Sequence, residues 1–431
     1  MTPSLPNSAL GRAFALAEGR YEDNHPTSRA RLEQARAVMP GGNTRSSLWS
    51  GPFPLCIASG TGCRLTDVDG HSFVDFLGEF TAGIFGHSSP LLAQAVAEAH
   101  AKGINLSSHT EAEIGLAERL VARFPSMDLL RFCNSGTEAN LMAVALAKAV
   151  TGRGRIVVFD GGYHGGLMSF GGGGSPVNAP HDWLVLPYND VSALEAAFAA
   201  HTDIAALVVE PMLGAGGCAP GTPAFLAAAR RLTAEAGAVL IFDEVQTARM
   251  ARGGMQDRLG ITPDLTVIGK FFGGGLAFGA FGGRRELMAR FDPATPGALP
   301  HAGTFNNNTL TMSAGIAACD HLLTAEALEA LFDRGEAFRT ALTELFTRHA
   351  APYRVSGLGS IMNIHGVSAQ PERAELLRRL LQFEMLEAGY YFAARGLIAL
   401  SLPLGQEETQ GFLAAAEAFL LRHRDMLTEE A

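Results

Sequence analysis

The chain has 431 residues, enough for two or three domains or for one large unit with a satellite. Apolar residues make up 47% and charged residues 18%, which excludes a mostly disordered chain. A net charge of −10 argues against broad nucleic-acid binding and against a basic membrane-surface role. No uncharged apolar run reaches the ~18 residues of a membrane span. Residues 1–21 lack a basic start followed by an apolar stretch, so no secretory signal is expected. Cys56, Cys63, Cys133, Cys218 and Cys319 are scattered and lack metal-type spacing. That fits reduced thiols in a cytoplasmic protein, and no metal centre is expected. Lysine is scarce: only Lys102, Lys148 and Lys270 are present. Any chemistry that needs an amine nucleophile has three candidates.

The first forty residues read as a polar, helical N-terminal arm ending at Met39-Pro40-Gly41-Gly42. Residues 57–76 read as short strands, with a hairpin turn at Asp69-Gly70. Helical spacing follows over 91–102 and 111–124. Then strand and helix alternate: strands at 129–133, 155–159, 204–209, 238–244 and 265–269, helices at 137–150, 191–200 and 223–236. The strands are continuous apolar runs, as in a sheet covered on both faces. This predicts an open α/β sheet. Beyond Asn308, helices over 310–324 and 327–348 and further short strands predict a smaller α+β domain. The expected division is an arm and strands packing with the small domain over 1–78, a large domain over 79–318 and a small C-terminal domain over 319–431. Residues 171–174, four glycines, read as a flexible loop.

Ligands of open α/β sheets bind beyond the carboxyl ends of the strands. The first such end carries Asn134-Ser135-Gly136-Thr137, a small-residue turn opening a helix and a cradle for phosphate, or else an ordinary capping turn. The second carries Tyr163 and His164 between glycines. The third ends at Glu210 and the fourth at Asp243, a carboxylate after an apolar run that wants a cationic partner. The fifth ends at Lys270, followed by Phe271, Phe272 and three glycines. Lys102 and Lys148 sit near helix C-termini, where the dipole favours a cation. Lys270 has no such explanation, and a desolvated lysine forms imines readily. An imine-forming lysine, an anion cradle, a buried carboxylate and a displayed aromatic together suit pyridoxal phosphate.

The segments NSGTEAN, GGYHGG, VVEPMLGAGG, LIFDEV, PDLTVIGKFFGGG and GAFGGRRELM resemble the class III aminotransferases, pyridoxal-phosphate enzymes of fold type I. The resemblance runs from about Pro40 to Leu404. It implies a large domain with a mostly parallel central sheet covered by helices, plus a smaller α+β domain. Two branches are similar: glutamate-1-semialdehyde aminomutase and the β-phenylalanine aminotransferases. MPGGNTRS, INLSSHTEAE, HAGTFNNNTLTM and AARGLIALSLPL resemble the second.

The resemblance implies that Lys270 is the aldimine lysine and proton shuttle and that Asp243 pairs with the pyridine nitrogen. Ser135, Gly136 and Thr137 would hold the phosphate, Tyr163 would stack on the ring, and Glu210 would support the cofactor. Thr304 resembles a threonine that reaches the phosphate of the neighbouring subunit, which implies a homodimer with shared sites. Arg45 and Arg395 align with arginines that hold substrate carboxylates. His164 is given no catalytic role. Trp49, Phe53, Tyr391 and Phe392 are candidate walls of an apolar substrate pocket. The implied reaction moves an amino group from a β-amino acid to 2-oxoglutarate or pyruvate. The aminomutase reaction and a non-catalytic phosphate-ligand binding protein are the alternatives. A nicotinamide enzyme is disfavoured, because no G-x-G-x-x-G opens a helix after the first strand.

Overall fold

A computed structural model describes residues 8–428; the first seven residues of the arm and of the segment tested for a secretory signal lie outside it. Two compact units are present. One is made of residues up to Ser89 together with those from Asp333 onward; the other is Pro90–Phe332. The helix Ala325–Arg348 carries the chain from the second unit back into the first. Among the described residues, no helix is long and apolar enough to cross a membrane.

The Pro90–Phe332 unit is built on seven strands. In spatial order they are Leu129–Cys133, Gly279–Gly283, Leu265–Gly269, Val239–Asp243, Ile204–Val209, Arg155–Phe159 and Asp182–Leu186. Only Gly279–Gly283 runs against its neighbours. Every residue of Ile204–Val209 and Val239–Asp243 is buried, as the continuous apolar runs require. One face of the sheet packs on the helix Gly136–Thr151, through Ala139, Ala143, Val144 and Ala147. The other packs on Pro223–Ala236, through Phe225, Leu226 and Ala229.

Two strands of this seven-stranded sheet were not expected from sequence: Asp182–Leu186 and Gly279–Gly283. The second is glycine-rich because its neighbours leave no room. A Cβ on Gly279 would meet the Ser135 carbonyl oxygen at 2.1 Å, and one on Gly283 the Asp264 carbonyl oxygen at 2.2 Å. The 310–324 and 327–348 helices are found as Thr309–His321 and Ala325–Arg348.

The first unit is α+β. Ile57–Thr61, Arg64–Asp67 and Ser72–Asp75 form an antiparallel meander, joined in parallel by Tyr390–Tyr391. The hairpin turn at Asp69-Gly70 is where the sequence puts it. A second sheet consists of Tyr353–Leu358, Ile361–Gly366 and Leu397–Ala399. The arm forms two helices, Ala9–Asn24 and Pro26–Arg36. The first packs on Pro371–Glu387, with Phe14 and Tyr21 5.8 and 5.3 Å from the Phe383 ring. Arg20 pins the same contact through Glu384 at 2.7 Å and Glu387 at 2.9 Å.

Candidate active site

Because six strands of the large sheet are parallel, their carboxyl ends lie along one edge. There the chain places Ser135, Gly136, Thr137, Tyr163, Glu210, Asp243 and Lys270 around one cavity of about 310 Å³. Asn134, Asn140, His164, Gly165, Val245, Gln246 and Phe278 complete much of its lining. Thr304 is exposed and is not among these lining residues.

Ser135 caps the helix Gly136–Thr151: its Oγ accepts the Glu138 amide at 3.1 Å. Gly136 and Thr137 open that helix, where amides lack an acceptor within the helix and the dipole favours an anion, and both residues line the cavity. The loop after His164 comes close to this turn. A Cβ on Gly165, whose φ is +117°, would sit 2.1 Å from Thr137 Oγ1, so only glycine fits.

Asp243 closes its strand at 4% exposure. Its Oδ2 accepts from Asn140 Nδ2 at 2.9 Å and lies 2.8 Å from His164 Nδ1; its Oδ1 accepts the Val245 amide at 3.0 Å. The partner that a poorly solvated carboxylate requires is therefore His164, itself 2% exposed. Burial opposes a charge on that imidazole. The hydrogen bond to Asp243 and its negative charge more than offset this, so the His164 pKa is raised. Glu210 is buried next to the pair and accepts the amides of Tyr163 at 2.9 Å and Gly214 at 3.1 Å. Burial pushes its carboxyl up to about 7.

Lys270 directly follows its strand with φ +57°, a left-handed conformation uncommon outside glycine and often found at functional sites. Lys102 and Lys148 lie in the last turns of Pro90–Lys102 and Gly136–Thr151, as expected.

Asn140 and the contact of His164 escaped the sequence reading. Asn140 did leave a signal. It shares a helical face with Ala143, Val144 and Ala147, and a polar residue on a buried face needs a partner. His164 lies 79 positions from Asp243, and no spacing rule reaches that far.

Arg45 and Arg395 belong to the first unit, and both lie against one ring. Their Cζ atoms are 5.4 and 5.6 Å from the Phe80 centroid. Arg45 is also bonded to Glu79 at 2.6 Å. Glu79, Phe80 and Thr81 have φ of 48°, 51° and 79°, three successive residues in the left-handed region. Of the proposed pocket walls, Phe53 and Phe392 are core residues, packed on Tyr21 and Phe412. Trp49 lies under Arg36 at 5.7 Å. Tyr391 lines a cavity of about 590 Å³ with Glu79 and Phe80. The ring that sequence reasoning missed is Phe80.

Residues 46–402 match the family described as aminotransferase class-III. A β-phenylalanine transaminase of Variovorax paradoxus is 47% identical, over 98% of this chain and 99% of that protein. A glutamate-1-semialdehyde 2,1-aminomutase of Sorangium cellulosum is 41% identical, over 75% of this chain and 76% of its own length. The crystal structure of a β-phenylalanine aminotransferase from Variovorax paradoxus superposes with a TM-score of 0.95 at 47% identity, covering 98% of this chain and all of that one. With this match and a cavity of that composition at the edge of a type I sheet, the chain belongs to the class-III aminotransferases.

Proposed function

We propose that this aminotransferase uses pyridoxal phosphate to move the amino group of a β-amino acid to a 2-oxo acid. The donor is aromatic, such as β-phenylalanine, or short and aliphatic; the acceptor is 2-oxoglutarate or pyruvate. The observation that carries the substrate reading is the pair of guanidinium groups against the Phe80 ring. The carboxylate of a β-amino acid lies one carbon further from its amine than that of an α-amino acid. Two arginines serve the two distances better than one, and a guanidinium fork is the natural receptor for each carboxylate.

The donor set around the 310 Å³ cavity fits the cofactor. Lys270 supplies the amine that holds its aldehyde. Ser135, Gly136 and Thr137 supply hydroxyls and amides for its phosphate. Asp243 accepts three hydrogen bonds, leaving about one acceptor position of a carboxylate for the pyridine nitrogen. Tyr163, half exposed, offers a ring face. When bound, the cofactor supplies an electron-withdrawing ring that stabilises negative charge at the amine-bearing carbon.

The chain's own residues do the rest. Once the donor's amine has displaced it from the aldehyde, the Lys270 amine would take the proton from the donor's amine-bearing carbon and deliver it to the former aldehyde carbon of the cofactor, C4′, rather than back to the donor. Asp243 keeps the pyridine nitrogen charged, and His164 and Asn140 hold Asp243. Glu210 fixes the Tyr163 backbone. Thr304, exposed in the single chain, would reach the phosphate site of a second copy, so the working form is a homodimer with shared sites in the cytoplasm. Light scattering tests this: a fully active monomer would contradict it.

The aminomutase reading is weaker, because the aminomutase of Sorangium cellulosum is 41% identical against 47% for the β-phenylalanine transaminase of Variovorax paradoxus. One assay separates the two. 3-Amino-3-phenylpropanoate is offered with and without 2-oxoglutarate or pyruvate. Turnover that needs the oxo acid supports the transaminase; turnover of glutamate 1-semialdehyde alone supports the mutase.

A further inference from the structure

The hairpin between Arg64–Asp67 and Ser72–Asp75 brings three metal-ligating side chains to one point in the first unit: His25, Asp67 and His71. Their nearest ligand atoms all lie within 4.8 Å of one another. Asp67 is fixed by the turn, its Oδ1 accepting the amides of Asp69 at 3.0 Å and His71 at 2.8 Å. Its Oδ2 turns to two imidazoles, His71 Nδ1 at 3.0 Å and His25 Nε2 at 3.6 Å.

The tautomer of His25 is set by a group that can only accept. Its Nδ1 lies 2.7 Å from the Tyr21 carbonyl oxygen, so the proton of a neutral ring sits on Nδ1. Nε2 then presents a lone pair to a carboxylate oxygen. The two side chains are 8% and 0% exposed, so a cation between these atoms is shielded from bulk water.

The geometry suits a metal ion. Four ligands at ~2.0–2.1 Å around a tetrahedral zinc are about 3.3–3.4 Å apart; the two edges from Asp67 Oδ2 are 3.0 Å, here a hydrogen bond to His71, and 3.6 Å, and the edge between the imidazoles lies within 4.8 Å, so an ion would replace that hydrogen bond. The two rings are inclined at 60° with centroids 4.7 Å apart, so they meet edge-on rather than stack face to face. The Tyr21 carbonyl is the outer contact that a metal-bound histidine usually has. The neighbouring carboxylate, Asp69, is already engaged by Thr27 and Ser28. His71 is 41% exposed and leaves a way in for the ion and for a water ligand.

We propose that His25, Asp67 and His71 bind one divalent transition-metal ion of the zinc class, with water as fourth ligand. His25 stands between the helices Ala9–Asn24 and Pro26–Arg36, so the ion pins that joint to the hairpin. Two imidazoles and a carboxylate select zinc, cobalt or nickel over calcium or magnesium.

The test uses the full-length holoenzyme, treated with a chelator and then dialysed against Co²⁺ without amino acid substrate. The expected result is one Co²⁺ per chain, the intense visible absorption of a four-coordinate ion, and its loss on adding Zn²⁺. Thermal unfolding should move up with either metal. His71→Ala, the most exposed ligand and the least needed for folding, should abolish uptake while the cofactor absorbance stays. Absence of stoichiometric uptake overturns the proposal. So does uptake unchanged in His71→Ala, or a proton seen by nitrogen NMR on His25 Nε2 with Zn²⁺ present.

Discussion

His164 Nδ1 lies 2.8 Å from Asp243 Oδ2, in a place where both side chains are almost fully buried. The imidazole, whose pKa this contact raises, and the carboxylate form a hydrogen-bonded pair, and both residues line the cavity. Asp243→Asn cannot keep the pyridine nitrogen charged. A loss of at least ~10²-fold in the chemical step is expected, about 2.7 kcal/mol, with cofactor binding affected less. His164→Asn keeps a donor and loses the charge. It should cost about 10-fold and remove the alkaline fall in rate that follows loss of the His164 proton above its raised pKa. Single-turnover rates across pH check both; half-reaction rates equal to the parent in Asp243→Asn would make that carboxylate structural.

Lys270→Ala should abolish multiple turnover and change the absorbance of the bound cofactor. Lys102→Ala and Lys148→Ala should leave both near the parent. Full activity in the Lys270 variant would end the mechanism proposed above.

Arg45→Ala and Arg395→Ala should each impair at least one half-reaction while the cofactor spectrum stays intact. A lost charge-assisted carboxylate contact costs ~1.5–3 kcal/mol, about 10–150-fold. An amine lacking the carboxylate should be a poor donor for the parent and little worse for the variants. If both variants transaminate β-amino acids at the parent rate, the carboxylate receptor lies elsewhere.

Glu210 makes folding pH-dependent. Its carboxyl is raised from 4.5 to about 7 by burial, so the folded chain keeps a proton that the unfolded chain releases. The stability this contributes is present below about 4.5 and is lost as pH rises through about 7. Glu210→Gln lacks that slope. Thermal midpoints of parent and variant, at equal cofactor loading, should differ in their pH dependence across this window; parallel curves would exclude it.

Much of this was readable in the sequence wherever burial is uniform. Strands such as Ile204–Val209, apolar throughout because helices cover both faces, announce themselves, and the residues just after them land on one edge because the strands are parallel. Gly279–Gly283 stayed hidden because its composition answers to neighbouring backbone rather than to strand propensity. Phe80 stayed hidden for a related reason. Its place against Arg45 and Arg395 depends on a run of left-handed backbone that no residue type in Glu79-Phe80-Thr81 signals.

The lone antiparallel strand also sets the order in which the protein can be made. Leu129–Cys133 is an edge strand whose sheet partner is Gly279–Gly283, with Cys133 opposite Gly279. On a ribosome, the segment that leads into Ser135 must wait for about 150 further residues to emerge before it has anything to pair with. Closing so long a loop is slow, and until it closes the Ser135–Thr137 turn is held only from the side of its helix and of Gly165, not through the strand before it. A nascent chain stopped before Gly279 would therefore hold most of its parallel strands yet leave Leu129–Cys133, the strand that leads into the Ser135–Thr137 turn, without its sheet partner.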